Sequence, residues 1–275
     1  MRASTEPATW DLPEPHTSSG CFETMRVYGG TIFRLASHLE RLSASAQSLG
    51  VRLSIASDQL GRQLSAAVRR SGLNEAIVRV AMIPSSSRPL HRLASPSIVV
   101  QAVPLPPPIL YRRGLRLAVV PTRKFPIAQI NPQAKFSARQ GSVLAIMESQ
   151  LRGADEAIVL DPSGYVTEST ASNLGMIKDE AFLAPPCWLG LLPGITWQAV
   201  EEVARRLGLS VQEVPVTRHE LYNAEEVFLT STIKEVIPVT QIDGRRIGTG
   251  KPGPWTRRLH RGFRAVVRRE LSLSS

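Results

Sequence analysis

The chain has few cysteines and few aromatic residues, and both shortages limit the kind of protein it can be. Two of its 275 residues are cysteine, Cys21 and Cys187, and they match no paired metal-ligand spacing. They are also too few for a disulfide framework, so we expect a reducing cytoplasm and no metal site. Aromatic residues make up 5% of the chain, and no aromatic platform for nucleic-acid bases accompanies the basic segments.

A long uninterrupted hydrophobic segment is also absent. Prolines interrupt the longest apolar stretch, near residues 98–110, and no charged start is followed by an apolar core. We therefore expect a soluble protein without a signal peptide or a membrane anchor. Hydrophobic residues still make up 43% of the chain, which is enough to bury the core of one large domain or two modest ones.

Positive charge is in excess, with a formal net charge of +10 at pH 7. Much of it lies in the tail, at Arg257, Arg258, Arg261, Arg264, Arg268 and Arg269. The tail predicts an amphipathic helix with Leu259, Phe263, Val266 and Val267 on its apolar face. Arginines on a helix face are usually a solvated surface, so we expect no nucleic-acid partner.

The first half of the chain predicts strands and two helices after an irregular start at residues 1–19. Expected strands are 21–27, 31–35, 76–82 and 97–103. A helix is expected to open at Ser37, with Glu40 completing a capping box, and to stop at Gly50. A second helix is expected over 57–70.

A proline-rich stretch separates this half from the second, and we expect it to be extended. Beyond it we expect strands at 115–120, 173–177, 227–229 and 236–239, a hairpin at 157–160 and 165–167, and helices at 140–152 and 193–207. The predicted class is α+β, with a small domain at 1–103, a linker at 104–114 and a large domain at 115–275.

A lysine, Lys135, lies in the segment NPQAKFS just ahead of an apolar helix. Most lysines are solvated surface charges. An amine that is kept partly dry instead has a lowered pKa and can form a Schiff base with a carbonyl. The residue by itself does not decide between these two interpretations.

Four other features would suit a phosphorylated cofactor. The segment LPGIT opens a helix at residues 192–196, and the free N–H groups of a helix start suit a phosphate. The segment LTSTIKEV places Thr230, Ser231 and Thr232 in a turn, and Arg41 lies on a helix face. Glu168, at the end of a short strand, could pair with a pyridine nitrogen. Each feature is weak alone, since turns, caps and surface pairs use the same residues.

The order of these segments resembles the class IV aminotransferases, the fold-type IV group of pyridoxal-phosphate enzymes. The resemblance rests on GCFETMRVYGG, HLERLSASAQSLG, NPQAKFSARQGSVLA, GADEAIVLDPSGYVTESTASNL, LPGITWQAVEEVARRLG, AEEVFLTSTIKEVIPV and IGTGKPGP, and it covers residues 20–265.

The resemblance implies a role for each matching residue. Lys135 is similar to the Schiff-base lysine, and Glu168 to the partner of the pyridine nitrogen. The phosphate contacts would come from Arg41, Ile195, Thr196, Ser231 and Thr232, and the substrate contacts from Phe22, Arg26, Arg88 and Ile233. The cofactor would be pyridoxal 5'-phosphate, the substrates an amino acid and a 2-oxo acid, and the assembly a homodimer.

The family contains several activities, and the residues leave them open. The first expectation is an aminotransferase acting on branched-chain or similar amino acids, in which the freed Lys135 amine serves as general base. The second is an aminodeoxychorismate lyase, because such enzymes share FET-x-R and an arginine four positions after the lysine, as Arg139 is here. D-amino-acid aminotransferases of this family typically carry a tyrosine at the position of Phe22, so the phenylalanine argues against specificity for D-amino acids. A basic scaffold protein is the non-enzyme alternative.

Overall fold

The computed structural model describes residues 20–84, 92–125 and 132–272. The predicted irregular start at 1–19 lies outside these residues. The described chain forms two sheets, each with helices packed against it.

The first sheet has the strand order β2-β1-β4-β5-β3. Its strands are β1 Cys21–Tyr28, β2 Thr31–Ile32, β3 Val51–Leu53, β4 Ala76–Pro84 and β5 Arg92–Gln101, and its helices are α1 Leu35–Ser48 and α2 Ser57–Ser71. The strand β1 is buried along its whole length, because the helices cover one face and the site lies on the other. This sheet therefore presents β1 to the rest of the molecule.

The second sheet has the order β11-β10-β9-β12-β13-β6-β7-β8, with β14 paired to β13. Its strands are β6 Leu115–Arg123, β7 Glu156–Leu160, β8 Val166–Ser169, β9 Asn173–Lys178, β10 Ala181–Ala184, β11 Ser210–Glu213, β12 Glu226–Ser231, β13 Glu235–Ile242 and β14 Arg245–Arg246. The helices of this half are α3 Pro108–Arg113, α4 Gln140–Leu151, α5 Ile195–Arg206, α6 Arg218–Tyr222 and α7 Pro254–Ser272. The predicted α+β class is confirmed.

The basic tail forms the helix that its periodicity predicted. In α7 the side chains of Leu259, Phe263, Val266 and Val267 are buried, and they pack against α5 in one continuous core. Spacings of three and four residues place these side chains on one face of the helix, and the arginines remain on the others.

The predicted start of α1 is wrong by two residues. The helix begins at Leu35, and Arg34 precedes it in the left-handed region with φ 50°. Arg34 donates to Glu202 at 2.8 Å and to Glu270 at 2.9 Å, which fixes its position from the second half of the chain. Ser37 therefore lies inside the helix instead of capping it. A capping box does form elsewhere, between Thr217 and Glu220 at the start of α6.

The proline-rich connection is not extended throughout, because residues 108–113 form the helix α3. Proline is accepted in the first turn of a helix, where its missing N–H has no intrahelical acceptor to lose. The helix 193–207 likewise begins later than expected, at Ile195. In the described part of the chain, no helix is long and apolar enough to span a membrane.

Candidate active site

A cavity of about 420 Å³ opens between the two sheets. Its wall combines β1, α1 and Arg79 of the first sheet with regions of the second half that include the end of β6, the segment before α4, the β8–β9 loop, the start of α5 and the β12–β13 turn. The predicted residues Phe22, Arg41, Lys135, Glu168, Ile195, Thr196, Ser231, Thr232 and Ile233 all line this cavity. Residues that are up to 211 positions apart in the sequence therefore meet at one place.

Lys135 is held in this wall by its backbone. Its carbonyl accepts from Phe22 N at 3.0 Å, and its own N–H donates to Ser45 Oγ at 2.9 Å. A bridge between Cys21 and Phe136 continues the pairing with β1. The Lys135 amine lies 5.1 Å from the centre of the Phe22 ring. Contacts from β1 and α1 thus position the segment so that the amine faces the cavity.

The surroundings of Lys135 make its amine easier to deprotonate. Burial lowers the pKa of Lys135 to about 8, and the positive charges of Arg41 and Arg139 act in the same direction. The carboxylates of Glu23 and Glu168 oppose this shift. A substantial fraction of the amine is therefore neutral at mildly alkaline pH, as a nucleophile or general base requires.

Glu168 is the second-last residue of β8, and both of its carboxylate oxygens accept hydrogen bonds. Lys124 donates to Oε1, while Asn173 Nδ2 and Leu192 N both lie 3.3 Å from Oε2. Glu168 is 8% exposed, so these contacts compensate for much of its lost hydration. Lys124 was missed by the sequence analysis. It directly follows β6, and no local pattern connects it with a strand end 44 residues later.

The start of α5 forms another part of the wall. Gly194 precedes Ile195 and Thr196, and both of these residues are buried. A Cβ at Gly194 would lie 2.0 Å from Asn173 Oδ1, so only glycine allows this approach. Asn173 also donates to Leu192 O at 2.8 Å. The free N–H groups of this first turn therefore lie beside the end of Glu168's strand.

The β12–β13 turn forms a further part of the cavity wall. Thr232 Oγ1 donates to Thr24 O at 3.2 Å, which joins the turn to β1. Ser231 Oγ accepts from Lys234 N at 3.0 Å. The Lys234 amine pairs with Glu156 at 2.5 Å, and Glu156 accepts from Thr170 at 2.6 Å. Hydrogen bonds thus connect the turn with β1 on one side and with β7 and the β8–β9 loop on the other.

Arg41 joins the two halves at the cavity. Its Nε and Nη2 donate to the Glu23 carboxylate at 2.7 and 2.9 Å, and its Nη1 donates to Pro193 O at 2.6 Å. Pro193 directly precedes Gly194 and the start of α5. The helix α1 therefore places a cation next to the N-terminus of another helix, which is a suitable arrangement for an anion.

Two further arginines flank Phe22. The guanidinium carbons of Arg79 and Arg139 lie 5.6 and 5.8 Å from the centre of its ring. Burial lowers the pKa of Arg139, and the charge of Arg79 lowers it further, while Glu168 and Glu156 oppose the shift. Within the described residues, neither arginine has a carboxylate partner in an ion pair. Arg79 was missed by the sequence analysis, since one arginine within a strand carries no distinguishing pattern.

Of the two arginines expected to contact substrate, the structure describes only Arg26. Arg26 is 3% exposed and donates to Val103 O at 3.1 Å and to Glu75 at 3.5 Å. Its side chain is absent from the described wall of the cavity. Arg88 lies outside the described residues. Arg79 and Arg139 are therefore the arginines that the structure places beside Phe22.

Several buried hydroxyl groups in the wall have no partner in the described part of the protein. They belong to Thr122, Ser169, Ser172 and Thr230. An unsatisfied buried polar group is costly, and such groups are rare in folded proteins. Their concentration around one cavity indicates a surface built for a polar ligand.

Comparison with protein families supports the resemblance seen in the motifs. The family model described as amino-transferase class IV matches residues 20–242. A branched-chain-amino-acid aminotransferase of Pseudomonas aeruginosa is 33% identical over 262 residues, covering 92% of this chain and 85% of the relative. The enzyme of the same name from Escherichia coli K12 is 30% identical over 259 residues, covering 90% and 84%.

Solved structures show the same similarity in three dimensions. A branched-chain amino acid aminotransferase from T.th., solved with pyridoxamine 5'-phosphate, has a TM-score of 0.86 and 34% identity, covering 90% of this chain and 85% of that one. The same enzyme has also been solved with N-(5'-phosphopyridoxyl)-L-glutamate, with a TM-score of 0.84. The Escherichia coli enzyme has a TM-score of 0.85 and 29% identity, with coverage of 91% and 86%.

Proposed function

Because this chain belongs to the class IV aminotransferases, we propose that its cavity transfers the amino group of a branched-chain or similar amino acid to a 2-oxo acid. The chain is a pyridoxal-phosphate-dependent aminotransferase with the fold of the fold-type IV enzymes. The proposed substrate class is supported by the names of its relatives and by the apolar side chains of Phe22 and Ile233 in the wall. These relatives do not favour the lyase alternative.

The residues present fit pyridoxal phosphate. The free N–H groups at the start of α5, beside Arg41 and Thr232, would hold the phosphate. Glycine is needed directly before this helix start, since a side chain at Gly194 would collide with Asn173. The hydroxyls of Thr122, Ser169, Ser172 and Thr230, which have no partner among the described residues, would supply polar groups for the remainder of the cofactor.

Lys135 and Glu168 would direct the chemistry. When bound, pyridoxal phosphate supplies an aldehyde and a ring that accepts the electron pair left when the substrate loses its α-proton. Lys135 would hold the aldehyde and move the α-proton, because its desolvated amine is partly neutral. Glu168 would pair with the pyridine nitrogen and favour its protonated form, and its three donors keep the carboxylate in place.

Substrate recognition would depend on the two arginines beside Phe22. Amino acids and 2-oxo acids share a carboxylate, and guanidinium groups bind carboxylates with high geometric specificity. Arg79 and Arg139 bring two positive charges to the wall near Lys135, without a carboxylate partner among the described residues. The observation that carries the proposed function is this combination: a desolvated lysine amine, a fixed glutamate and two arginines around one cavity.

A product assay tests the proposal directly. Purified, cofactor-loaded protein is incubated with 2-oxoglutarate and one amino acid at a time. The amino acids are L-leucine, L-valine, their D-enantiomers and L-alanine, and aminodeoxychorismate is incubated in a separate reaction. We expect glutamate to form fastest with the branched-chain L-amino acids. Release of pyruvate from aminodeoxychorismate without any 2-oxo acid, combined with no transfer from the amino-acid panel, would contradict it.

Three further properties belong to this proposal. We propose a homodimer, which the exposed apolar residues of α4 support. A cytoplasmic location is supported by the two free cysteines, Cys21 and Cys187. The division into a small domain at 1–103, a linker at 104–114 and a large domain at 115–275 is supported by the separate core of each sheet.

A further inference from the structure

We propose that Glu23 is a positioning residue that, together with His38, orients Arg41 at the phosphate region and sets the charge facing Lys135. This inference rests on the proposed function, because it assumes that Arg41 contacts the cofactor phosphate. Glu23 does not line the cavity itself. It would act by orienting Arg41 and through the effect of its charge on Lys135.

The contacts of Glu23 fix the plane of the Arg41 guanidinium. Oε1 accepts from Arg41 Nε at 2.7 Å, and Oε2 accepts from Arg41 Nη2 at 2.9 Å. Two parallel hydrogen bonds define an orientation as well as a distance. His38 Nδ1 lies 2.8 Å from Oε2, and Thr24 N donates to the same oxygen at 3.2 Å. The carboxylate is thus held from several sides while it holds the guanidinium.

Two of the N–H donors of Arg41 have no acceptor among the residues that the structure describes. A guanidinium has five N–H groups, of which two bind Glu23 and one binds Pro193 O. The remaining N–H groups are on Nη1 and Nη2, the end of the side chain that lines the cavity. Glu23 therefore occupies the inner edge of the guanidinium and leaves the outer edge available for a phosphate.

One face of α1 carries the whole arrangement. His38, Arg41 and Ser45 are spaced by three and four residues, which places them on the same side of the helix. His38 contacts Glu23, Arg41 contacts Glu23 and Pro193, and Ser45 Oγ accepts from Lys135 N. The strand β1 faces this side of the helix and supplies Glu23. Glu23, His38 and Ser45 are buried, so this arrangement differs from an exposed surface ion pair.

The charge of Glu23 persists through the physiological pH range. Burial alone would raise the pKa of Glu23, but hydrogen bonds from His38 and Arg41 bring it down to about 2. Burial lowers the pKa of His38, against the attraction of Glu23, so this ring is neutral at neutral pH. Lys135 then faces two negative charges, Glu23 from β1 and Glu168 from β8. It also faces two positive charges, Arg41 from α1 and Arg139 beside α4.

Removal of that charge would change Lys135 in a defined direction. A nearby carboxylate stabilises an ammonium, so Glu23 raises the pKa of Lys135 against burial. Glu23→Gln removes this effect and lowers the pKa of the amine below its value of about 8. The neutral amine would then be present at a lower pH.

Cofactor binding by the cofactor-depleted protein tests both parts of the proposal. The variants are Glu23→Gln, Glu23→Asp, Arg41→Ala and, as matched control, Glu40→Gln, which changes an exposed glutamate on the same helix. The measurements are the Kd for pyridoxal phosphate and the pH midpoint of the rate at which Lys135 captures it, followed by absorbance. Thermal unfolding checks that each variant is folded.

For Glu23→Gln we expect a Kd weakened by about tenfold, in line with the loss of a charge-assisted hydrogen bond, and a midpoint moved to lower pH. Glu23→Asp keeps the charge but shortens the arm, so its Kd should weaken while its midpoint stays unchanged. If Glu23→Gln does not fold, Glu23→Asp still tests the positioning. The control should match the wild type.

The outcomes separate this inference from the proposed function. If Arg41→Ala weakens binding but both Glu23 variants bind and titrate like the wild type, Glu23 does not position Arg41. A double variant that combines Glu23→Gln with Arg41→Ala completes the set. If Glu23→Gln weakens binding equally in the wild-type and Arg41→Ala backgrounds, it does not act through Arg41, and the inference is again wrong. If Arg41→Ala binds pyridoxal phosphate as tightly as the wild type, the proposed phosphate region itself is wrong.

Discussion

Lys135 has its reactivity set by burial and by four charged neighbours that come from different elements. Burial and two arginines favour the neutral amine, whereas Glu23 and Glu168 favour the ammonium. The resulting pKa of about 8 lies close to the pH at which such a group would work. This proximity suits a residue that must both accept and return a proton.

The first prediction concerns covalent attachment at Lys135. Borohydride reduction of the yellow, cofactor-loaded protein should fix the cofactor on the peptide that contains Lys135, because its amine faces the cavity in a partly neutral state. The rate of cofactor capture should rise with pH through about 8 as the amine loses its proton. Lys135→Ala should remove both the label and turnover. Peptide mapping that finds the label on Lys124 or Lys178 would refute the assignment.

A second prediction separates a catalytic Glu168 from a structural one. Glu168→Gln removes the charge that would favour the protonated pyridine nitrogen but keeps the size of the side chain. We expect the rate to fall by roughly a hundredfold or more while the cofactor still binds. The measurements are the rate per cofactor-loaded molecule and the thermal midpoint of unfolding.

The control for Glu168 is Glu213→Gln, which changes an exposed glutamate on β11. It should alter neither the rate nor the thermal midpoint. A Glu168→Gln protein with a lower thermal midpoint and an unchanged rate would show that Glu168 only supports the fold through its contacts with Lys124 and Asn173.

At the scale of single elements, the start of α5 carries several tasks in one turn. Its first turn provides free N–H groups. Just before it, Pro193 O accepts a hydrogen bond from Arg41, and Gly194 lies close to the side chain of Asn173. Asn173 in turn contacts Glu168. The position of this helix start thus affects both the phosphate region and the carboxylate.

The third prediction is that Gly194→Ala disturbs this element. The new Cβ would lie 2.0 Å from Asn173 Oδ1, so Asn173 or the helix start must move. We expect a loss of about 1–3 kcal/mol in the free energy of unfolding and weaker cofactor binding. Denaturant unfolding and a cofactor titration would measure these effects.

Gly141→Ala is the matched control for stability, since a Cβ there meets nothing within 4 Å and the residue is helical. Alanine is the better helix former, so this change should leave stability unchanged or raise it. Equal stability of the Gly194→Ala and wild-type proteins would mean that Asn173 has room to move aside.

At the scale of the whole molecule, α4 leaves an apolar surface uncovered. Val143, Leu144, Met147 and Leu151 are 56%, 50%, 56% and 88% exposed. The same helix begins five residues after Lys135, so whatever covers it also lies close to the cavity. Contiguous apolar surface of this kind marks interaction sites in soluble proteins.

The fourth prediction tests whether a second copy of the chain covers this surface. Met147→Glu places a charge in the middle of it and should shift the protein from dimer towards monomer in light scattering coupled to gel filtration, because burying an unpaired charge is costly. Leu207→Glu, at an exposed position after α5, should leave the assembly unchanged. A wild-type protein that is monomeric at assay concentrations would contradict the homodimer.

The sequence by itself determined those features that depend on neighbours a few residues away. The apolar period of the tail predicted a helix there, which is α7, and the helix expected over 57–70 is α2. Strand patterns predicted the hairpin of β7 and β8. Motif order also singled out Lys135, Glu168, Thr196 and Thr232 as members of one site, and the fold brings them to one cavity. Their spacing along the chain reflects the order of the elements that carry them.

Only the tertiary structure decided which distant residues meet. Arg34 is fixed by Glu202 and Glu270, which moved the start of α1 away from its local capping signal. Lys124 reaches Glu168, and Arg79 reaches Phe22, although neither pair has a pattern in the sequence. Local propensities extend over one or two turns of chain, whereas these contacts depend on how the sheets pack, and long-range packing energy outweighs a capping preference of about 1 kcal/mol.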